Sequence, residues 1–356
     1  MADQVCDLWK DSIVYMTKGT GRTLHSWERI LSRLAGRVIN PIAPTMGMLI
    51  VGLLFAGSAT IDGVTLFEKG KYREAQQVLG DLLANQPNAP KTQFYMGRTY
   101  LALEDAEQAL PHLARAVALD PENAPYHFWL GVAYWALLDL DRELTAYEQA
   151  LAIDPGFLPA HVYAGHNQLD RGHWPQALDH YESVLAEIPD HPEALYNAGL
   201  ALDELGRSAA AVDCWHRYLK RHRPGGLAIA AVRQLNAAGD FSYRAYPVGN
   251  RFVAGPSPGF RDGTTEIETE MAATLDEIGR LIQPLDRMTL HIVVFVKDDE
   301  TLAAQRAKAL KRYIVNHFPG LSSRRVLTSW FSQPETIQDD YQDVQLKASL
   351  KLFTVQ

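Results

Sequence analysis

The stretch YMGRTYLALEDAEQALPHLARAVALDP, residues 95–121, carries two markers that recur along the chain. Its Gly97 is matched by Gly63, Gly131, Gly165 and Gly199, and its closing Pro121 by Pro87, Pro155 and Pro189, always at intervals of 34 residues. Two independent markers sharing one register specify a stacked repeat rather than a single globular core. The physical reading is a unit of two antiparallel helices. The glycine lies on the first helix where the second approaches too closely for a side chain, and the proline stops the second helix before the next unit. Alanines 75, 109, 177 and 211 occupy the matching place on the second helix, with Glu143 departing in the third unit. Four residues later Leu79, Leu113, Tyr147, Tyr181 and Trp215 supply the bulk expected between the helices.

Together with YNAGLALDELGRSAAAVDCWHRYL (residues 196–219), these phrases closely resemble the tetratricopeptide-repeat (TPR) family. Five repeats are read, at 56–89, 90–123, 124–157, 158–191 and 192–225; Asp62 stands at a normally apolar place in the first. The resemblance implies a concave surface lined by the first helices. In this register that surface carries Lys91, Phe94, Tyr95 and Arg98, then Phe128, Trp129 and Trp135, then Tyr163 and His166, then Tyr196 and Asn197. An aromatic strip with a few polar groups suits an extended peptide or a partner helix, and about half of these rings are expected in the inter-repeat core. The Lys/Asn pattern with which some TPR domains clamp a C-terminal carboxylate is not reproduced. His161, His166, His173, His180 and His191 cluster here without metal-ligand spacing, so they are expected to cap helices or face solvent. Cys214, beside Trp215, reads as a small buried apolar residue.

N-terminal to the repeats, Val38–Ile61 is a run of 24 residues without a charge, preceded by Arg22, Arg29, Arg33 and Arg37 and followed by Asp62. About 20 apolar residues span a hydrocarbon core, and the arginines place the N-terminal side in the cytoplasm. The expectation is an uncleaved transmembrane anchor at 38–61, placing the chain in a bacterial inner membrane with its bulk in the periplasm. Two readings compete: a signal peptide ending at Ala56–Ala59, although some 45 residues would precede its apolar core, and a buried helix of a soluble protein. Residues 1–37 are read as a cytoplasmic region. Within it Trp27, Ile30, Leu31 and Leu34 share one helical face, with Arg29, Arg33 and Arg37 on another, which fits an anionic membrane surface or a neighbouring subunit.

After Pro224-Gly225-Gly226 the pattern changes. Residues 226–248 are read as a capping helix, Leu227–Ala238, and a linker, because a terminal repeat needs a polar outer face. Residues 249–356 then alternate strands (Arg251–Ala254, Leu290–Val296, Arg325–Phe331, Leu346–Phe353) with helices (Glu266–Ile282, Thr301–His317), the pattern of a small α/β sandwich. MTLHIVVFV (288–296) and AAQRAKALKRYIVNHFPGLSSRRVLTSWFSQPE (303–335) resemble the OmpA-like domain, a peptidoglycan-binding family. That resemblance implies peptide-carboxylate recognition by Arg306, with Asp298 or Asp299 standing where the family carries its aspartate; the family's G-H-T-D motif is replaced by VFVKDDE. The expected fold is therefore mainly α: a TPR solenoid preceded by one transmembrane helix and followed by an OmpA-like domain.

Composition narrows the function. A net charge of −8 argues against a general nucleic-acid binder, and two distant cysteines, Cys6 and Cys214, exclude a disulfide framework and a cysteine zinc site. No P-loop, dinucleotide fingerprint, nucleophile elbow or CxxC is present. The chain is expected to be non-enzymatic, without cofactor or metal. It reads as a scaffold for protein–protein interactions in assembly of an envelope complex. The alternatives are a peptidoglycan-anchoring protein and a self-assembling structural subunit, the latter a homo-oligomer.

Overall fold

In the computed structural model, residues 62–338 and 343–355 are described. The expected cytoplasmic region 1–37, the expected transmembrane anchor 38–61 and the first residues of the repeat read at 56–89 lie outside them. Among the described residues no helix is long and apolar enough to cross a membrane.

The repeats begin with helical residues 62–68 and continue as α1 (Tyr72–Asn85), α2 (Pro90–Ala102), α3 (Ala106–Leu119), α4 (Ala124–Ala136), α5 (Leu140–Ile153), α6 (Leu158–Asp170), α7 (Trp174–Glu187), α8 (Pro192–Glu204) and α9 (Ser208–Arg221). Each second helix from α1 to α7 ends two residues before Pro87, Pro121, Pro155 or Pro189, because the residue ahead of a proline is driven out of the helical region. Second helices α3 and α5 start on Asp105 and Asp139, whose carboxylates accept from the backbone N–H groups of Gln108 and Arg142.

Helix pairing turns on the glycines. A Cβ at Gly97 would lie 2.5 Å from Leu113 Cγ, and one at Gly165 would lie 2.7 Å from Tyr181 Cε1. Gly63, Gly131 and Gly199 meet Leu79, Tyr147 and Trp215 in the same way. All five partners are buried, and each contributes roughly 1.5–3 kcal/mol by leaving water. Pairing thus repeats one small-on-large contact along the solenoid.

Helix α10 (Gly226–Ala237) packs against α9 and also against β1 (Tyr243–Val248) and β2 (Arg251–Pro256). Its Ala228, Ala231, Val232 and Leu235 are buried. Instead of ending on a polar outer face, the solenoid is covered by the β1–β2 hairpin, whose Ala254 N–H donates to Arg223 O (2.8 Å). β1 falls within the interval expected as a linker.

Beyond it come α11 (Thr269–Ile282), β3 (Thr289–Val296), α12 (Glu300–His317), β4 (Val326–Phe331), β5 (Glu335–Gln338), β6 (Asp343–Leu346) and β7 (Ala348–Val355). β3 is central, parallel to β4 and antiparallel to β7, and β7 packs beside β1. Alternate residues Leu290, Ile292 and Val294 of β3 enter a core with Met271, Leu275 and Ile278 of α11 and Ala307, Leu310 and Ile314 of α12. β5 and β6 form a separate antiparallel hairpin. The charged Glu335 of β5 is buried and paired with Arg244 (2.8 Å) and Lys351 (3.0 Å).

Candidate partner-binding groove

First helices of successive repeats touch: α2 packs against α4, and α6 against α8. That closeness puts the first helices on the inner side of the curve. Residues one repeat apart then form rows across this surface. Tyr95, Trp129, Tyr163 and Asn197 make one row, and Arg98, Val132, His166 and Leu200 another, one helical turn further along.

Side-chain contacts join these rows into a strip. The Arg98 guanidinium lies 4.6 Å from the Phe67 ring centroid and 4.3 Å from that of Trp129, with Phe94 and Tyr95 at 5.4 and 5.5 Å. Burial among these rings lowers its pKa to about 10. Towards the other end, Tyr163 lies 5.8 Å from His166, and Asn197 Nδ2 donates to His166 Nε2 at 3.0 Å. Burial holds the His166 imidazole down at about 4, with His191 adding to the effect, so the ring is neutral at physiological pH.

The expected groove residues divide between surface and core. Lys91 is exposed, and Tyr95, Arg98, Trp135, Tyr163, His166 and Asn197 are half-buried, so each keeps some surface for a partner. Phe128 is 1% exposed, enclosed by Tyr147, Phe157 and Tyr163. It is a core residue and offers nothing to a partner. Phe94, Trp129 (9%) and Tyr196 are also buried; they stiffen the strip from beneath.

Histidines outside the strip tie helices together. Pro87 O, Pro121 O and Pro155 O accept from Gln93 Nε2 (2.7 Å), His127 Nε2 (2.9 Å) and His161 Nε2 (3.0 Å), and Pro189 O accepts from Arg217 (2.9 Å). His161 Nδ1 meets His180 Nδ1 at 3.1 Å, and His191 caps α8 by accepting from the Ala194 N–H. The equivalence of Gln93, His127 and His161 is visible in the 34-residue register, but only the carbonyl they serve explains it. Cys214 is buried.

In the α/β domain, Arg306 is 2% exposed. It donates from Nε to Thr264 O (2.8 Å) and from Nη2 to Arg261 O (3.3 Å), over the Phe260 ring. Asp299 caps α12, accepting from the Leu302 N–H at 2.8 Å, while Asp298 is exposed in a left-handed turn (φ 62°). Arg306 and Asp299 therefore already have partners within the protein.

The tetratricopeptide-repeat family model matches residues 94–156 and 164–226. No curated protein matches the chain. Among solved structures, MamA is 21% identical over 50% of this chain and 96% of its own, with a TM-score of 0.42. YrrB, a TPR protein described as having an unusual peptide-binding site, is 18% identical over 51% of this chain and 90% of its own, with a TM-score of 0.44. A thermophilic TPR protein of Thermus thermophilus, TTC0263, is 22% identical over 51% of this chain and 99% of its own, with a TM-score of 0.41. Residues 94–156 and 164–226, which carry the strip residues from Phe94 to Asn197 except Tyr163, match the tetratricopeptide-repeat model.

Proposed function

We propose that this chain is a membrane-anchored scaffold that takes an extended segment of a protein partner along the inner face of its repeats. The observation that carries the reading is the in-register row in which Tyr95, Tyr163 and Asn197 keep surface for a partner over buried Phe94, Phe128 and Trp129. Rings held from beneath bury area on binding with little further loss of freedom. The neutral His166 and the Asn197 amide add hydrogen-bonding capacity to an otherwise aromatic surface.

Anchoring rests on the uncharged run Val38–Ile61 and its arginine-rich N-terminal flank. On this reading the repeats and α/β domain face the periplasm and serve assembly of an envelope complex. The α/β domain acts there as a protein-contact module with an OmpA-like strand and helix order. The engagement of Arg306 and Asp299 within the protein favours that role over peptidoglycan anchoring.

The test is a quantitative pull-down from gently solubilised membranes, comparing the native chain with a Lys91→Ala/Tyr95→Ala/Tyr163→Ala variant of unchanged helical content. Specific proteins lost with the variant support the groove; equal recovery refutes it. Protease added to spheroplasts should degrade the chain beyond Ile61, and full protection would rule out the topology. Failure of the α/β domain to sediment with sacculi is the outcome expected for a contact module.

A further inference from the structure

Arg98 shares a buried Nε without an acceptor with Arg223 and Arg244, but it alone among the described arginines is collared by four aromatic rings. Arg244 pairs with Glu335 at 2.8 Å. Arg306 and Arg325 spend their donors on main-chain carbonyls, Arg325 reaching Met288 O (2.9 Å), Ile282 O (2.9 Å) and Leu285 O (2.6 Å). Among the described residues the neighbours of the Arg98 guanidinium are rings, with no ion pair or hydrogen bond, and its Nε is buried without an acceptor. Nearby Glu68 and the Tyr95 and Tyr72 hydroxyls favour its charge only at longer range.

The placement is specific. Phe67 comes from the first repeat, Phe94 and Tyr95 from the second and Trp129 from the third, so the guanidinium is held by three successive first helices. The shortest approaches, to Phe67 and Trp129, engage the cation through ring faces. Rings, however, do not satisfy N–H donors. A guanidinium carries five donors in a planar fork that fits a carboxylate with two parallel bonds. Leaving a buried charged donor unmet is costly, and the aromatic collar fixes the orientation that would otherwise cost entropy on binding.

We propose that Arg98 is an acid-recognising anchor of the groove, taking the carboxylate of an aspartate or glutamate side chain within an extended partner segment. The inference rests on the groove reading above and names the partner's chemistry there. An internal side chain is chosen over a chain terminus because the surroundings of Arg98 are aromatic. An internal acid has neighbours on both sides that can lie on the rings flanking Arg98, whereas a terminal carboxylate has them on one side only. The segment's neighbouring residues would be apolar, laid on Tyr95 and Tyr163.

The test is selection of peptides from two randomised display libraries, one with C-terminally blocked and one with free-carboxylate peptides, on the full chain in mild detergent. The selected peptides are then titrated against native, Arg98→Lys and Arg98→Met chains of matched helical content. The expected result is an aspartate or glutamate enriched at one internal position from both libraries. Its binding should weaken about 10–100-fold with Arg98→Met, and less with Arg98→Lys, which keeps the charge but not the fork. Replacing that acid by its amide should reproduce the loss in the native chain and have little effect in Arg98→Met. Peptides that depend on Tyr95 and Tyr163 but show no acidic position overturn the anchor and leave the groove reading standing. Enrichment confined to free C-terminal carboxylates overturns the internal side-chain assignment. Selected peptides insensitive to Tyr95→Ala/Tyr163→Ala, or none at all, overturn the groove reading and the anchor with it.

Discussion

Asn167 donates its side-chain amide to Glu143 between the third and fourth repeats (Nδ2···Oε2 2.9 Å), at the second-helix place held by Ala75, Ala109, Ala177 and Ala211 in the other repeats. The same Nδ2 also serves Leu140 O at 2.9 Å, while Asn167 Oδ1 has no donor. Arg171, whose charge favours the ionised carboxyl, spends its guanidinium on Asp141 at 2.7 Å. Glu143, 2% exposed, is therefore a buried acid held by an amide rather than by an opposite charge.

Burial pushes the Glu143 carboxyl up to about 7 against the pull of its Asn167 hydrogen bond. Because the folded state favours the protonated form, stability is highest below the unfolded value near 4.5. It falls as pH rises towards 7 and stays reduced above that. The full loss corresponds to about 3 kcal/mol. Glu143→Gln keeps the shape and removes the titration. The variant should match the native chain near pH 4.5 and exceed it by roughly 1–3 kcal/mol at pH 8. Urea melts at the two pH values check this; a difference that does not change with pH would show that the carboxyl is not strained by burial.

Gly165→Ala places a methyl group 2.7 Å from Tyr181 Cε1, and Tyr181 is fully buried. Neither helix can retreat without opening the core beside it. The expected cost is about 1–3 kcal/mol. Tyr181→Ala, costly alone through the cavity it leaves, should make Gly165→Ala nearly free in its background, because it removes the ring that the new methyl group meets. Thermal midpoints of the two single variants and the double variant give the coupling. Simple additivity would mean that the pair does not set the helix spacing.

Periodicity made this half of the molecule readable. The glycine-to-large pairing follows from spacing alone, since one side chain's absence and another's bulk fall in one register. Burial of Phe128 was less legible, because an aromatic residue on a first helix reads the same whether it faces the groove or the next repeat. Only the enclosure by Tyr147, Phe157 and Tyr163 decides. In the α/β domain β3 announces itself by strict alternation. β1 does not, because Pro247 interrupts a run that would otherwise read as a strand. The β5–β6 hairpin is polar in sequence, and Glu335 is buried there through pairing with residues from β1 and β7 that local pattern cannot reveal.

Leu138 holds φ at 60° in the turn between α4 and α5, where Gly70, Gly172 and Gly206 hold 72–73° in the corresponding turns. A left-handed leucine costs about 1–2 kcal/mol, and this side chain, 82% exposed, has little burial to offset it. Glycine relieves the strain but frees the unfolded chain, which costs about 0.4–1 kcal/mol. Leu138→Gly should therefore be stabilising by roughly 0.5–1 kcal/mol. Differential scanning calorimetry reads the sign directly, and a drop in midpoint would mean that Leu138 makes a stabilising contact.

His166 gives the sharpest spectroscopic expectation. Its Nε2 faces the Asn197 amide donor at 3.0 Å, so that nitrogen must carry the lone pair and Nδ1 the proton. Protonation would set two donors against each other; burial, with His191 adding to it, already holds the pKa at about 4. Long-range proton–nitrogen spectra should show an unprotonated Nε2 from pH 8 down to about 5, with titration beginning only below that. Because the folded pKa is depressed, stability is lost as pH falls from about 6.5 towards 4. Asn197→Leu removes the amide donor and should raise the His166 pKa towards its ordinary range if the hydrogen bond to neutral imidazole contributes. A pKa unchanged in Asn197→Leu would assign the whole depression to burial, and an ordinary pKa in the native chain would mean that the ring is open to water.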